Sequence, residues 1–199
     1  MSDTPIDVFI DLPSFPGPVQ AGRLWSHFRK GRESASFEYN KEWLANPHRF
    51  ALEPLLPLAD GTFHTNPGQS VFGAIGDSTP DRWGRILMRR AELARARTAN
   101  ESPHTLSELD YLLRVNDEAR QGALRFSQDG GQSFCAPPGS TPIPPLVNLS
   151  RLLHAADHFC RDDENAEDLR LLLAPGSSLG GARPKASVKD KKGNLCIAK

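Results

Sequence analysis

The sequence predicts an α+β fold: a small antiparallel sheet near the N-terminus, then helices, then a glycine-rich β-hairpin at residues 175–199. Three observations support this prediction. Apolar residues recur at alternate positions near the N-terminus, which is typical of strands. From about residue 80 onward they recur at the spacing of an amphipathic helix. The last residues place two short apolar segments around a polar turn, which is typical of a hairpin.

Three strands are predicted in the N-terminal region. Ile6, Val8 and Ile10 occupy alternate positions, which predicts a half-buried first strand. After a proline-rich loop, a second strand is expected at 19–25 and a third at 36–39.

Two shorter segments complete this region. A short helix is predicted at 41–45, directly after the third strand. The apolar run 55–58 contains Pro57, and a residue without a backbone N–H there favours an edge strand or an extended loop.

A longer helix is predicted to begin at Thr79 and Pro80. Thr79 can act as its N-cap, Pro80 suits the first helical position, and Asp81 would face the positive end of the helix dipole. One face of this helix is apolar and predicts burial; its members are Trp83, Ile86, Leu87, Ala91 and Ala94.

The other face of this helix is rich in arginine. It carries Arg82, Arg85, Arg89, Arg90, Arg95 and Arg97, against Asp81 and Glu92 alone. Such a face can bind a nucleic-acid backbone or an acidic partner. It can equally be a solvated face whose ion-pair partners lie on other segments, and we do not expect direct contact with DNA.

The middle of the chain alternates short helices with one strand. A helix is expected at 109–114, a strand at 122–126, and an exposed, mobile loop rich in Gly, Pro and Ser at 128–145. Asn148 can cap the next helix, and a last short helix is expected to end at 175–176.

His154 and His158 lie one turn apart on the helix that Asn148 would begin. A metal site would need further ligands at suitable positions, and the sequence offers none. We therefore predict no metal site.

The C-terminal hairpin carries the pattern of a phosphate-binding loop. Gly180 and Gly181 precede a strand expected at 185–189, and a second strand is expected at 194–199. Glycines allow a bulky ligand close to the backbone, and successive N–H groups can converge on an anion. Lysines on the two strands can meet phosphate as point charges. A Gly-Gly pair beside a hairpin is also typical of an ordinary turn, so the pattern alone leaves both interpretations open.

Two long segments resemble the HipA-like serine/threonine kinases, the toxin half of bacterial toxin–antitoxin pairs. One runs from 178 to 186, SLGGARPKA, and continues through the hairpin to Ile-Ala-Lys at 197–199. The other is FGAIGDSTPDRWGR at 72–85. The resemblance implies a small N-terminal sheet followed by the start of a kinase-like N-lobe, and it covers about the first half of such a kinase.

The resemblance also implies the roles of individual residues. The residues expected to wrap the ATP phosphates are Gly180, Gly181, Ala182, Arg183, Pro184 and Lys185. Lys199 would contact the same phosphates, and Ser178 would be the site of autophosphorylation. Because catalytic and magnesium-binding carboxylates of kinases follow the strand lysine, no catalytic residue is expected in this chain. Magnesium is expected only with the missing lobe, and the chain alone is expected to be inactive.

The resemblance further implies partners and a domain organisation. The expected partners are a DNA-binding, HipB-like antitoxin or a complementary kinase lobe, and the full-length substrate would be an aminoacyl-tRNA synthetase. The alternative is a binding module without chemistry that docks one of these partners. We expect an N-terminal subdomain at 1–98, a helical and strand segment at 99–174, and the truncated N-lobe at 175–199.

Composition narrows the class of protein. Acidic and basic residues number 24 each, so net charge selects neither nucleic acid nor a membrane surface. The chain has neither an apolar run of about 18 residues nor a secretory leader. Cys135, Cys160 and Cys196 are odd in number and lack metal spacing. They predict free thiols in a reducing cytoplasm.

Overall fold

The computed structural model describes residues 5–135, 148–176, 181 and 183–198. Its backbone contacts divide the chain into two units. The first comprises Met1–Ser78, Ser107–Leu109 and Gln121–Cys135, and the second comprises Thr79–Leu106, Asp110–Arg120 and Ala136–Lys199. The three-part domain organisation expected from the sequence stays a prediction.

The first unit is built on a five-stranded antiparallel sheet. Its strands are β1 (Ile6–Ile10), β2 (Val19–Arg29), β3 (Arg32–Tyr39), β4 (Thr62–His64) and β5 (Leu124–Ser127). Their order across the sheet is β4-β3-β2-β1-β5, and every neighbouring pair is antiparallel. Together with the helices described below, this sheet confirms the predicted α+β fold.

The prediction that the first strand is half-buried is wrong. All five residues of β1 are buried, because the strand pairs with β2 on one side and with β5 on the other. The buried Asp7 carboxylate accepts hydrogen bonds from Arg23 Nε at 3.0 Å and Gln20 Nε2 at 2.7 Å. These donors make the burial of a charged group tolerable.

The second and third strands are longer than predicted because the turn between them is tight. Lys30 and Gly31 both have positive φ, 50° and 75°, which is the backbone of a two-residue hairpin turn. Arg29 and Arg32 therefore pair directly across the hairpin, within the interval that separated the two predicted strands.

Aromatic residues fill the core between the sheet and its loops. Fully buried side chains of this core include Leu24, Phe37, Trp43, Leu56, Phe72 and Phe126.

Helix α1 (Lys41–Ala45) forms as predicted, with Asn40 Oδ1 accepting the Glu42 N–H at 3.0 Å. The run 55–58 is a loop, as one alternative expected, and its Leu56 carbonyl accepts the Tyr39 hydroxyl at 2.7 Å. The edge strand is β4, which the sequence analysis missed. A short helix α2 (Gly73–Gly76) completes the described part of this unit.

The remaining helices and one hairpin follow in chain order. They are α3 (Arg82–Ala99), α4 (Glu108–Arg114), a 3-10 turn (Asp117–Ala119), α5 (Leu149–Cys160), α6 (Ala166–Gly176), β6 (Ala186–Lys189) and β7 (Leu195–Ala198). The predicted helices, the strand near 122–126 and the hairpin are thus confirmed with shifted ends. Residues 136–145 of the predicted mobile loop lie outside the described residues, and Asn148 makes no side-chain cap hydrogen bond.

The core of the second unit joins α3, α5 and α6 to the inner strand of the hairpin. It comprises Trp83, Leu87, Leu152, Ala155, Phe159, Leu169, Leu172, Ala186 and Val188. The rings of Trp83 and Phe159 meet edge to face at 5.0 Å between centroids. By contrast, Leu195 and Ile197 on β7 are 50% and 56% exposed. The hairpin is therefore anchored mainly through β6, and Ala198 of β7 also packs against this core.

Within the described parts of the chain, none of the helices combines the length and the apolar character needed to cross a bilayer. Those parts also contain no group of three or more His, Cys, Asp or Glu side chains placed to hold a metal ion.

One of the two histidines of α5, His158, takes part in an ion pair with Asp168. The His158 Nδ1 atom lies 3.0 Å from Asp168 Oδ2 on α6, and the His154 ring stacks against it with centroids 4.3 Å apart. The hydrogen bond to Asp168 raises the pKa of His158 above 6.5, and nearby acidic residues reinforce this shift.

We expect the Asp168→Asn variant to lower the pKa of His158, because it removes the main partner of the imidazolium. A folded-state pKa that is raised stabilises the protein below pH 6.5, and this stability is lost as the pH rises through the higher value. An NMR titration of the His158 ring measures the shift. Glu167→Gln is the matched control, because the exposed Glu167 pairs with Arg151 instead. An unchanged His158 pKa in Asp168→Asn would contradict this assignment.

Candidate functional site

The start of α3 is set by Asp81, and the prediction that Thr79 caps this helix is wrong. The Asp81 Oδ1 atom accepts the Arg82 N–H at 2.6 Å, and helical backbone begins at Arg82. Thr79 lies outside the helix, where its hydroxyl accepts a hydrogen bond from Arg85 Nη2 at 3.3 Å. A carboxylate is the better acceptor at this position because it also meets the positive end of the helix.

The Asp81 carboxylate also contacts the glycine-rich loop, the segment 180–185 that was predicted to bind phosphate. The Gly181 N–H donates to Asp81 Oδ2 at 2.5 Å, and the Gly181 carbonyl accepts the Trp83 N–H at 3.0 Å. Gly181 has a φ of 91°, a conformation that glycine adopts without strain. The sequence analysis missed this contact, since a hundred residues separate Asp81 from Gly181.

Lys185 lies next to the same loop. Its carbonyl accepts the Trp83 Nε1–H at 3.1 Å, while its ammonium group folds back over Gly181. A Cβ at residue 181 would lie only 2.5 Å from Lys185 Nζ, so glycine leaves room for this side chain.

The Asp81 carboxylate beside the loop is negatively charged. The pKa of Asp81 is lowered first by the Gly181 N–H and then by the Arg82 N–H, with smaller contributions from Lys185 and Arg85. Asp81 is therefore ionised at neutral pH, and it adds a negative charge beside the loop.

The structure describes four of the seven residues predicted to bind nucleotide. Gly181, Pro184 and Lys185 are half-buried and Arg183 is exposed. The other predicted residues, Ser178, Gly180, Ala182 and Lys199, lie outside the described residues. The predicted nucleotide-binding and autophosphorylation roles stay predictions.

The arginine-rich face of α3 is largely satisfied within the second unit. Arg90 bonds Glu164 at 2.7 Å, also pairs with Asp162, and stacks over the Phe159 ring at 4.3 Å. This supports the interpretation in which partners of the arginines lie on other segments.

Three other arginines of this face are solvated. Arg82, Arg89 and Arg97 are exposed, and their side chains have no hydrogen-bond or ion-pair partner among the described residues. The basic surface that remains is therefore much smaller than the sequence suggested.

The five-stranded sheet and the helices define an α+β protein. The family model of the HipA N-terminal domain matches residues 17–127, more than half of the chain, and the chain belongs to this family. The matched range includes the segment 72–85 and ends before the glycine loop. The search of curated proteins found no match.

Proposed function

We propose that this chain is the N-terminal portion of a HipA-like serine/threonine protein kinase, and that its glycine loop supplies the phosphate-binding part of an ATP site. The observation that carries the proposal is the contact between the family segment 72–85 and the loop, through Asp81 and Gly181. Membership of the HipA N-terminal family supports the kinase and toxin–antitoxin context.

The chemistry of the loop suits a phosphate ligand. Gly181 in left-handed backbone conformation turns the chain tightly, and Lys185 places an ammonium group over that turn. Loops of this kind bind anions through backbone N–H groups, and the lysine adds a point charge. Lys199 as a second counter-charge, and Ser178 as an internal phosphate acceptor, belong to this proposal.

The described residues do not fit a magnesium site. Asp81 is the carboxylate that contacts the loop, and both of its oxygens accept backbone N–H groups. We therefore assign no magnesium ligand to the described residues. Transfer of the phosphoryl group is assigned to a catalytic lobe, and an aminoacyl-tRNA synthetase is the proposed substrate of the whole kinase.

We expect the chain to bind ATP in isothermal titration calorimetry more tightly than it binds adenosine, because the loop recognises phosphate. Lys185→Ala should weaken ATP binding about tenfold, the loss expected for one charge-assisted contact. Lys191→Ala is the matched control, because Lys191 is an exposed residue of the hairpin turn. Equal affinities for ATP and adenosine would contradict the proposed function.

A second candidate function is a binding module without chemistry. The observation that favours it is the exposed outer strand of the hairpin, where Leu195 and Ile197 present apolar surface. Such a strand can dock a HipB-like antitoxin or a separately encoded kinase lobe. If Lys199→Ala leaves partner binding unchanged and neither form binds ATP, the binding module is the correct function.

A further inference from the structure

The two sequence segments that carry the family resemblance meet in space. The segment 72–85 supplies Asp81 and Trp83, and the loop supplies Gly181 and Lys185. Three hydrogen bonds join them: Gly181 N–H to Asp81 Oδ2 at 2.5 Å, Trp83 N–H to the Gly181 carbonyl at 3.0 Å, and Trp83 Nε1–H to the Lys185 carbonyl at 3.1 Å. All four residues belong to the second unit.

Asp81 divides its two oxygens between the helix and the loop. Oδ1 accepts the Arg82 N–H at 2.6 Å, and Oδ2 accepts the Gly181 N–H. Hydrogen bonds to an ionised carboxylate are about twice as strong as neutral ones. An asparagine at this position would keep one acceptor for the helix and would present an NH₂ group in place of the second acceptor.

Trp83 connects the loop to the core. Its side chain is 3% exposed and packs against Phe159. Its backbone N–H is one of the donors that the first turn of a helix leaves without an intrahelical partner. The Gly181 carbonyl accepts that N–H, so the loop and the helix start satisfy each other.

We infer that Asp81 and Trp83 are positioning residues that hold the glycine loop at Gly181 and Lys185 in the conformation that receives nucleotide phosphates. This inference rests on the proposed function. Gly181 then acts as the anchor of the loop, because its N–H is committed to Asp81. A loop that is already fixed at Gly181 and at Lys185 loses less conformational entropy when a ligand binds.

The test uses the full chain and compares the wild type with Asp81→Asn. Asparagine is as good an N-cap as aspartate, so α3 should keep its start. We expect the Gly181 amide of the nucleotide-free variant to exchange with solvent about tenfold faster, and ATP to bind about tenfold more weakly, the effect of one lost charge-assisted hydrogen bond. Asp157→Asn makes the same chemical change at an exposed pair with Arg161, and should alter neither quantity.

Trp83→Phe is a second variant that keeps an aromatic ring beside Phe159 and removes the Nε1–H together with part of the indole. We expect it to weaken ATP binding about threefold, because a neutral hydrogen bond is lost. Equal Gly181 exchange in the wild type and Asp81→Asn would overturn the anchoring role. Unchanged or tighter ATP binding in Asp81→Asn would also overturn the inference, and tighter binding would show that the carboxylate competes with phosphate. A wild type that binds no ATP would instead overturn the proposed function, while Gly181 exchange would still decide whether the anchor exists.

Discussion

Replacing Gly22 by alanine is expected to destabilise the five-stranded sheet severely. Gly22 lies within β2, and a Cβ there would be 2.2 Å from the Glu38 carbonyl oxygen and 2.5 Å from Phe37 Cζ. Phe37 is fully buried, so neither neighbour can move without displacing the core or the paired strand. We expect a loss of about 3 kcal/mol in the free energy of unfolding, the upper part of the range for overpacking.

Urea denaturation of Gly22→Ala, followed by tryptophan fluorescence, measures this loss. Gly17→Ala is the matched control, because no atom lies within 4 Å of the Cβ it would add. The control should change the stability by less than about 0.5 kcal/mol. If Gly22→Ala were as stable as the control, the packing of β2 against β3 described above would be wrong.

Glu92 is the second position at which a single change should have a large effect. Its side chain is 3% exposed, and its carboxylate bonds Arg95 at 2.8 Å and Arg114 at 3.2 Å. It also accepts the His104 N–H at 3.2 Å. Glu92→Gln would remove the counter-charge of two arginines that are 50% and 34% exposed. Since water can solvate both guanidinium groups, we expect a loss of about 2 kcal/mol, the range for hydrogen bonds to a charged group.

The effect of Glu92→Gln should depend on pH. The Arg95 hydrogen bonds, followed by the His104 N–H and Arg114, lower the pKa of Glu92 from 4.5 to about 2. A lowered pKa stabilises the folded state above pH 4.5, and that stability is lost as the pH falls toward 2. Denaturation at pH 7 and pH 3 should therefore show a smaller gap between wild type and variant at the lower pH.

Glu101→Gln is the control for Glu92→Gln. It makes the same chemical change on a 59% exposed carboxylate that also pairs with Arg95. Exposed ion pairs contribute about 0–1 kcal/mol, so this variant should stay close to the wild type. Equal losses in the two variants would mean that burial does not set the strength of the Glu92 network.

Local patterns in the sequence predict the strands and helices of this fold well, and they predict the tertiary contacts of those elements poorly. Alternation located the first strand, but its place between β2 and β5 could not be predicted, because β5 follows it by more than a hundred residues. Helical periodicity located α3, yet Thr79 and Asp81 both satisfy the rules for a cap, and only the tertiary contact with Gly181 selects Asp81.

At the candidate site, too, the sequence shows the local motif but not its tertiary partner. The glycine pair and the lysines are visible as a motif, because spacing along the chain is enough to suggest a loop and a hairpin. The partner of the loop is not visible, since Trp83 matches an ordinary core residue of a helix. Its indole N–H reaches Lys185 only after the helix and the hairpin have packed together.

The place of β1 between β2 and β5 affects how the chain must fold during synthesis. One edge of β1 remains open on the ribosome until Leu124–Ser127 has emerged, because that strand completes its pairing. Contacts between such distant segments form slowly, and an open apolar strand can recruit a neighbouring nascent chain. We therefore expect the sheet to stay incomplete on the ribosome until its last strand is available.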